Sequence, residues 1–181
     1  MSRVAFRVIA VAGVIALLGV GSYAVAGEGS KNFRALPMSG YEENPDVSTV
    51  ASGSFEARLS QDGTKLAYEL SYSGLEGTVL QAHIHFAKPA VNGGISIWLC
   101  ETAGLQSPSA STPTCPQEGT VTGEVGAAEV VGPAGQGIAP GELAEILAAM
   151  RAGHAYANVH SSKFPGGEIR AQINNHGEDD D

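Results

Sequence analysis

Positive charge is scarce in this chain: ten lysines and arginines stand against nineteen aspartates and glutamates, a formal charge of −9 over 181 residues. The imbalance deepens if Arg3 and Arg7 leave with a leader. A body this acidic, with no basic patch, excludes nucleic acid and anionic lipid as electrostatic partners, because both are bound chiefly through cationic side chains. Charge of either sign is thin, at 16% of residues, and aromatics make up only 6%. Catalytic signatures are missing as well: there is no nucleophile elbow, no phosphate-binding glycine loop, no H-E-x-x-H pair, and no spacing that joins a serine or cysteine to a histidine. Most enzyme classes find no foothold, and the chain reads as non-enzymatic.

What is plentiful is glycine, with 24 residues, beside a hydrophobic fraction of 43%. That glycine share is about twice the usual one and points to tight turns and short strands rather than a helical bundle. The glycines have no three-residue period, which excludes collagen.

The first 26 residues carry Arg3 and Arg7, then an uncharged run over residues 8–20, then Ala24-Val25-Ala26 before Gly27. This is the layout of a secretory signal peptide over 1–26, followed by a short linker over 27–31. Residues 8–26 are just long enough to span a bilayer as an uncleaved anchor. The small-residue cleavage site, and the glycine and serine near the end of the run, favour cleavage, leaving a secreted or periplasmic chain with no stable span. In an oxidising compartment the two cysteines, Cys100 and Cys115, read as a disulfide rather than copper or zinc thiolates.

From residue 31 the pattern has period two. Residues 33–38 read as a first strand. Phe55, Ala57 and Leu59, then Leu66, Tyr68 and Leu70, alternate with polar residues on either side of an Asp62-Gly63 turn, the signature of a β-hairpin. Residues 78–86 follow as a strand with Val79, Gln81, His83 and His85 on one face, and residues 95–99 as another beyond Asn92-Gly93-Gly94. Residues 119–131 give one or two more. A short amphipathic helix over 141–152 places Leu143, Ile146, Leu147 and Met150 on one stripe, with Gly153 beyond its end. Strands over 154–161 and 167–173 close the pattern, and 174–181 reads as an acidic disordered tail. About eight short strands and one helix predict a mainly β fold, a single antiparallel β-sandwich or barrel with contact between early and late strands.

The chemistry-bearing candidates are histidines. Ala82-His83-Ile84-His85 sets two imidazoles on one strand face, roughly 6.6 Å apart, a spacing at which both can reach one ion. His160 is a third candidate ligand, and His154, on the same face of its strand, a weaker fourth. The H-x-H pattern alone is a weak motif, and two readings stay open: a satisfied or solvent-facing polar pair, or a copper or zinc site. Gln81, Tyr156 and Asn158 can support such a site by hydrogen bonds or stand as ordinary polar residues. His176 reads as a solvated tail residue, and Glu168 with Arg170 as an ion pair on one strand face. Tyr41-Glu42-Glu43 could offer carboxylates to calcium, but without the regular spacing of a calcium loop.

Four segments carry a family resemblance: Leu36 through Gly40-Tyr41-Glu42 with Pro45 and Val47, Ala82-His83-Ile84-His85, Gly153-His154-Ala155-Tyr156-Ala157-Asn158-Val159-His160, and Phe164-Pro165-Gly166-Gly167-Glu168-Ile169-Arg170-Ala171-Gln172-Ile173. In this order they resemble the CHRD domain over residues 32–173, a family named from the growth-factor antagonist chordin and found in many bacterial exported proteins. The resemblance implies an immunoglobulin-like β-barrel distantly similar to copper/zinc superoxide dismutase. It also implies, by analogy with chordin, an exported module that binds an unknown protein or small ligand. The dismutase's copper-ligating H-x-H strand matches His83 and His85, and a late-strand ligand matches His160. Between His85 and His154 there is no histidine to bridge to or hold a zinc ion. The binuclear centre is missing, Arg170 is only a loose counterpart of the dismutase's arginine, and dismutase activity is not expected; a mononuclear copper or zinc site on His83, His85 and His160 is the alternative to a metal-free module.

Overall fold

The structure is a computed structural model that describes residues 30–102, 104 and 107–176. The expected signal peptide, residues 27–29 of the linker and residues 177–181 of the tail lie outside the described residues. No helix among the described residues is long and apolar enough to cross a membrane.

The alternating runs fold as expected. Strands β1 (Asn32–Ser39), β2 (Ser52–Leu59), β3 (Leu66–Ser73), β4 (Val79–Phe86), β5 (Gly94–Glu101) and β6 (Gly119–Val125) are followed by helix α1 (Leu143–Arg151) and strands β7 (Ala155–Ser161), β8 (Ile169–Gln172) and β9 (Asn174–His176). They form one antiparallel sheet in the order β5-β4-β7-β8-β1-β2-β3-β6. The early strand β1 meets the late strand β8 at Ser39 and Arg170. In β1 the register shifts between Ala35 and Met38, around Pro37, which has no N–H to give a ladder. That shift keeps Met38 inside with Phe33 and Ala35 and leaves Leu36 half exposed.

The sheet curls until its ends nearly meet, giving a barrel. Between β5 and the chain flanking β6 run two isolated bridges, Ile97 to Val130 and Glu101 to Thr114. Across the same seam the Tyr68 hydroxyl donates to the Leu99 carbonyl, and on the β6 side of it the Tyr72 hydroxyl donates to that of Pro116, each at 2.6 Å. The disulfide between Cys100 and Cys115 is a covalent stitch in that seam. Residues from both halves fill the interior, including Phe33, Phe55, Leu70, Ile84, Leu99 and Ile169. Helix α1 buries the predicted stripe of Leu143, Ile146, Leu147 and Met150 and touches β7 and β9.

One segment differs in kind from expectation. The polar residues 174–176, read as the start of a disordered tail, form β9 and pair with Arg34, Phe33 and Asn32 of β1. Backbone groups make that ladder, so a composition without apolar side chains does not forbid it.

The disulfide yields a first prediction. It closes 14 intervening residues, so the chain-entropy model assigns it about 3 kcal/mol. The Cys100→Ala/Cys115→Ala variant should lose about that much in urea unfolding; a loss below about 1 kcal/mol would show that the seam is held by the Tyr68 bond and the bridges alone.

Candidate metal centre

Strand parity places the candidate ligands on the outer wall of the barrel. Ala82, Ile84, Ala157, Val159, Ile169 and Ala171 belong to the hydrophobic core, so His83, His85, Asn158, His160 and Arg170, at the alternate positions, point the other way. The β4–β7 register sets His83 opposite Asn158 and His85 opposite Tyr156. Trp98 flanks this row on β5 and Arg170 on β8. An outward polar face would normally meet water, yet His83, His85, Asn158, His160 and Arg170 are at most 7% exposed.

Connecting segments roof the face. The β4–β5 loop contributes Gly93, whose carbonyl accepts from His85 Nδ1 at 2.9 Å and whose N–H reaches the Tyr156 hydroxyl at 3.4 Å. A Cβ on Gly93 would stand 1.9 Å from the Phe86 carbonyl oxygen, so only glycine brings the loop this close. The β7–β8 turn contributes the Pro165 carbonyl, 3.0 Å from His160 Nδ1. Glu43, next to the 3₁₀ turn Gly40–Glu42, completes the roof.

These contacts fix the imidazoles chemically. A carbonyl can only accept, so Nδ1 carries the proton in His85 and His160, and their Nε2 atoms hold bare lone pairs in the neutral ring. His83 Nδ1 lies 3.1 Å from His160 Nε2. The Nε2 atoms of His83 and His85 are buried and have no hydrogen-bond partner. One ligand atom from each of the three histidines lies within 4.8 Å of the others. Burial pushes His83 down to about 2 and both His85 and His160 to about 4. His160 and His85 add to the shift of His83, and Arg170 lowers the other two against the pull of their carbonyl bonds. The rings are therefore neutral at pH 7, the state in which imidazole binds a metal. The arrangement supplies three neutral nitrogen donors in a shielded space, a set that suits copper or zinc.

Around the donors the packing is layered. The Tyr156 ring lies parallel to His85 with centroids 4.8 Å apart, and the Arg170 guanidinium sits 4.3 Å from the Tyr156 ring centre. Arg170 Nε and Nη2 donate to Glu43 Oε2 at 2.7 and 2.6 Å, and Nη2 also to Asn92 Oδ1 at 2.6 Å. Burial pushes the Glu43 carboxyl above its usual range, against the opposing pull of Arg170. Trp98 meets His83 edge on, with ring centroids 4.3 Å apart.

The histidines expected to converge do so, with one exception. His154 is exposed and outside the cluster; it precedes β7, and its N–H bonds to Ala149 at the end of α1. Arg170 pairs with Glu43 rather than with Glu168, which instead accepts from the Thr49 hydroxyl and the Glu76 N–H. That pairing commits Glu43, while Tyr41 and Glu42 are exposed, so the Tyr41-Glu42-Glu43 segment does not gather its carboxylates as a calcium site would. Gln81 stands opposite His160, half buried, and the side chain of His176 lies outside the described residues. Sequence reasoning missed Glu43 as the partner of Arg170, and it missed Trp98 and Pro165; only the turn glycines after Asn92 gave a signal for the approach of Gly93.

The family model for the CHRD domain matches residues 34–173, a span that contains all of these side chains. The chain belongs to the CHRD domain family. No curated protein and no solved structure matches it. The CHRD domain thus accounts for the barrel and its roofing loops together, since the match begins in β1 and ends just after β8.

Proposed function

We propose that this CHRD domain is an extracytoplasmic module that binds one copper or zinc ion through His83, His85 and His160. The observation that carries the reading is a pair of buried, partnerless Nε2 atoms, on His83 and His85, beside a third imidazole whose tautomer also leaves Nε2 bare. Burying an unsatisfied polar atom costs about 1–3 kcal/mol, and an ion held among the three histidines, whose ligand atoms lie within 4.8 Å of one another, would offset that cost. The disulfide and the signal-like leader support a location outside the cytoplasm.

Calorimetric titration of the metal-free protein with Cu(II) and with Zn(II) tests this. One-to-one binding is expected, weakened at least about 100-fold in the His83→Ala/His85→Ala variant. Trp98, the single tryptophan, should lose fluorescence on Cu(II) addition because it abuts His83. Equal weak binding by both proteins would sink the metal reading.

A second reading is a metal-free module that binds a protein or small ligand. It is favoured by Tyr41 and Val50, which stay 72% and 85% exposed at the surface. Failure of the titration would direct the search to that surface.

A further inference from the structure

We infer that Asn158 is a fourth ligand of the centre, its Oδ1 joining the three imidazole nitrogens in a closed tetrahedral set; the inference rests on the metal-binding reading above. Asn158 stands directly opposite His83 across the β4–β7 pair, with His85 two residues along β4 and His160 two residues along β7. It is 1% exposed, and its Oδ1 lies 3.1 Å from His160 Nε2.

That contact lacks a proton. His160 Nδ1 gives its hydrogen to the Pro165 carbonyl, so Nε2 presents a lone pair to the amide oxygen, which presents another. The same Nε2 faces His83 Nδ1, also at 3.1 Å. One proton, on His83 Nδ1, is available among three atoms that converge. Ligand atoms about 2.0–2.2 Å from a tetrahedral ion stand roughly 3.3–3.6 Å apart, close to the 3.1 Å between Asn158 Oδ1 and His160 Nε2. The amide stands with its oxygen toward the imidazoles, 3.1 Å from His160 Nε2.

The consequence is chemical. Three protein ligands leave a position for water or substrate, whereas four close the site, which then holds its ion rather than presenting it to a reactant. Affinity alone does not separate a ligand from a supporting neighbour, since losing either weakens binding about 10–100-fold; coordination number does.

The test uses Co(II) as a spectroscopic stand-in for Zn(II), with azide as the incoming ligand. In the wild-type protein the visible bands of four-coordinate cobalt should appear and ignore azide. Asn158→Ala should bind cobalt about tenfold or more weakly and shift its bands on azide addition. Asn158→Asp should stay insensitive to azide with bands displaced by the carboxylate, and it carries the test if the alanine variant does not fold. Wild-type bands that respond to azide, an alanine variant that does not, or an aspartate variant with undisplaced bands would each overturn the assignment while leaving the three-histidine site standing. A wild-type protein that takes up neither Co(II) nor Zn(II) would overturn the site itself, and the assignment with it.

Discussion

Replacing Arg170 with methionine is expected to cost the domain about 3–5 kcal/mol, the range for removing one member of a buried ion pair. The side chains of Arg170 and Glu43 are 4% and 3% exposed, so water cannot replace the lost partner and the Glu43 carboxylate is left charged in a closed space. The same substitution removes the bonds from Arg170 to Asn92 and to the Val91 carbonyl, which anchor the loop that presents Gly93 to His85. Glu43→Gln/Arg170→Met should recover most of the loss, because a neutral amide costs far less to bury than an unpaired charge. The deficit of the single variant should shrink at lower pH. Burial already raises Glu43 and Arg170 opposes the rise; without Arg170 the folded carboxyl binds its proton well above the unfolded value. Stability linked to it is then present at low pH and lost as pH rises. Urea unfolding of both variants beside wild type at pH 7.5 and pH 5 reads this. A loss under about 1 kcal/mol, or a deficit equal at both pH values, would contradict the account.

How much of this was legible in the sequence depends on the range of the contact. The hairpin around Asp62-Gly63 and the stripe of α1 are local, and alternation or helical spacing marks them directly. His83 and His85 are paired by parity alone, and parity also puts His160 and Asn158 on one face; that the two faces merge follows only from β4 and β7 pairing across a long sequence interval. The burial of that face was not legible. Alternating polar residues normally mark a wall turned to water, and the roof that keeps water out comes from Glu43, 127 residues from Arg170, from Gly93 and from Pro165. For the same reason Arg170 is assigned to Glu168 by proximity in sequence, while in the fold it turns to a partner at the other end of the chain. His154 shows the limit of parity: it shares the phase of Tyr156 and His160, but the strand starts one residue later and its backbone serves the helix end. Asn174–His176 shows the limit of composition, since β1 needs only backbone partners there.

Acid should loosen the metal-free domain well before it protonates ordinary carboxylates. Burial holds His83 at about 2 and His85 and His160 at about 4 in the fold, whereas in the unfolded chain each takes its proton near 6.5. Above pH 6.5 both states are neutral and nothing is lost. As pH falls from 6.5 toward 4 the unfolded state gains protons that the fold refuses, so stability drops with decreasing pH, by about 1.4 kcal/mol per pH unit for each histidine that lags. Glu43, raised in the fold, works the opposite way, so the net slope is below three protons. Over this window the loss is on the order of several kcal/mol, a large part of what a small domain possesses. In the His83→Ala/His85→Ala variant two of the three lagging groups are gone, and its stability should be much flatter between pH 6.5 and 4.5. Free metal at 100 times its Kd should add about 2.7 kcal/mol to the wild type at pH 7. It should add progressively less on acidification, because protons and metal compete for the same nitrogens. Urea unfolding with chelator, with Zn(II), and in the variant measures all three slopes. A wild-type stability flat from pH 6.5 to 4.5, or a variant with an equal slope, would mean that the histidines are hydrated in solution and that the roof over them is open.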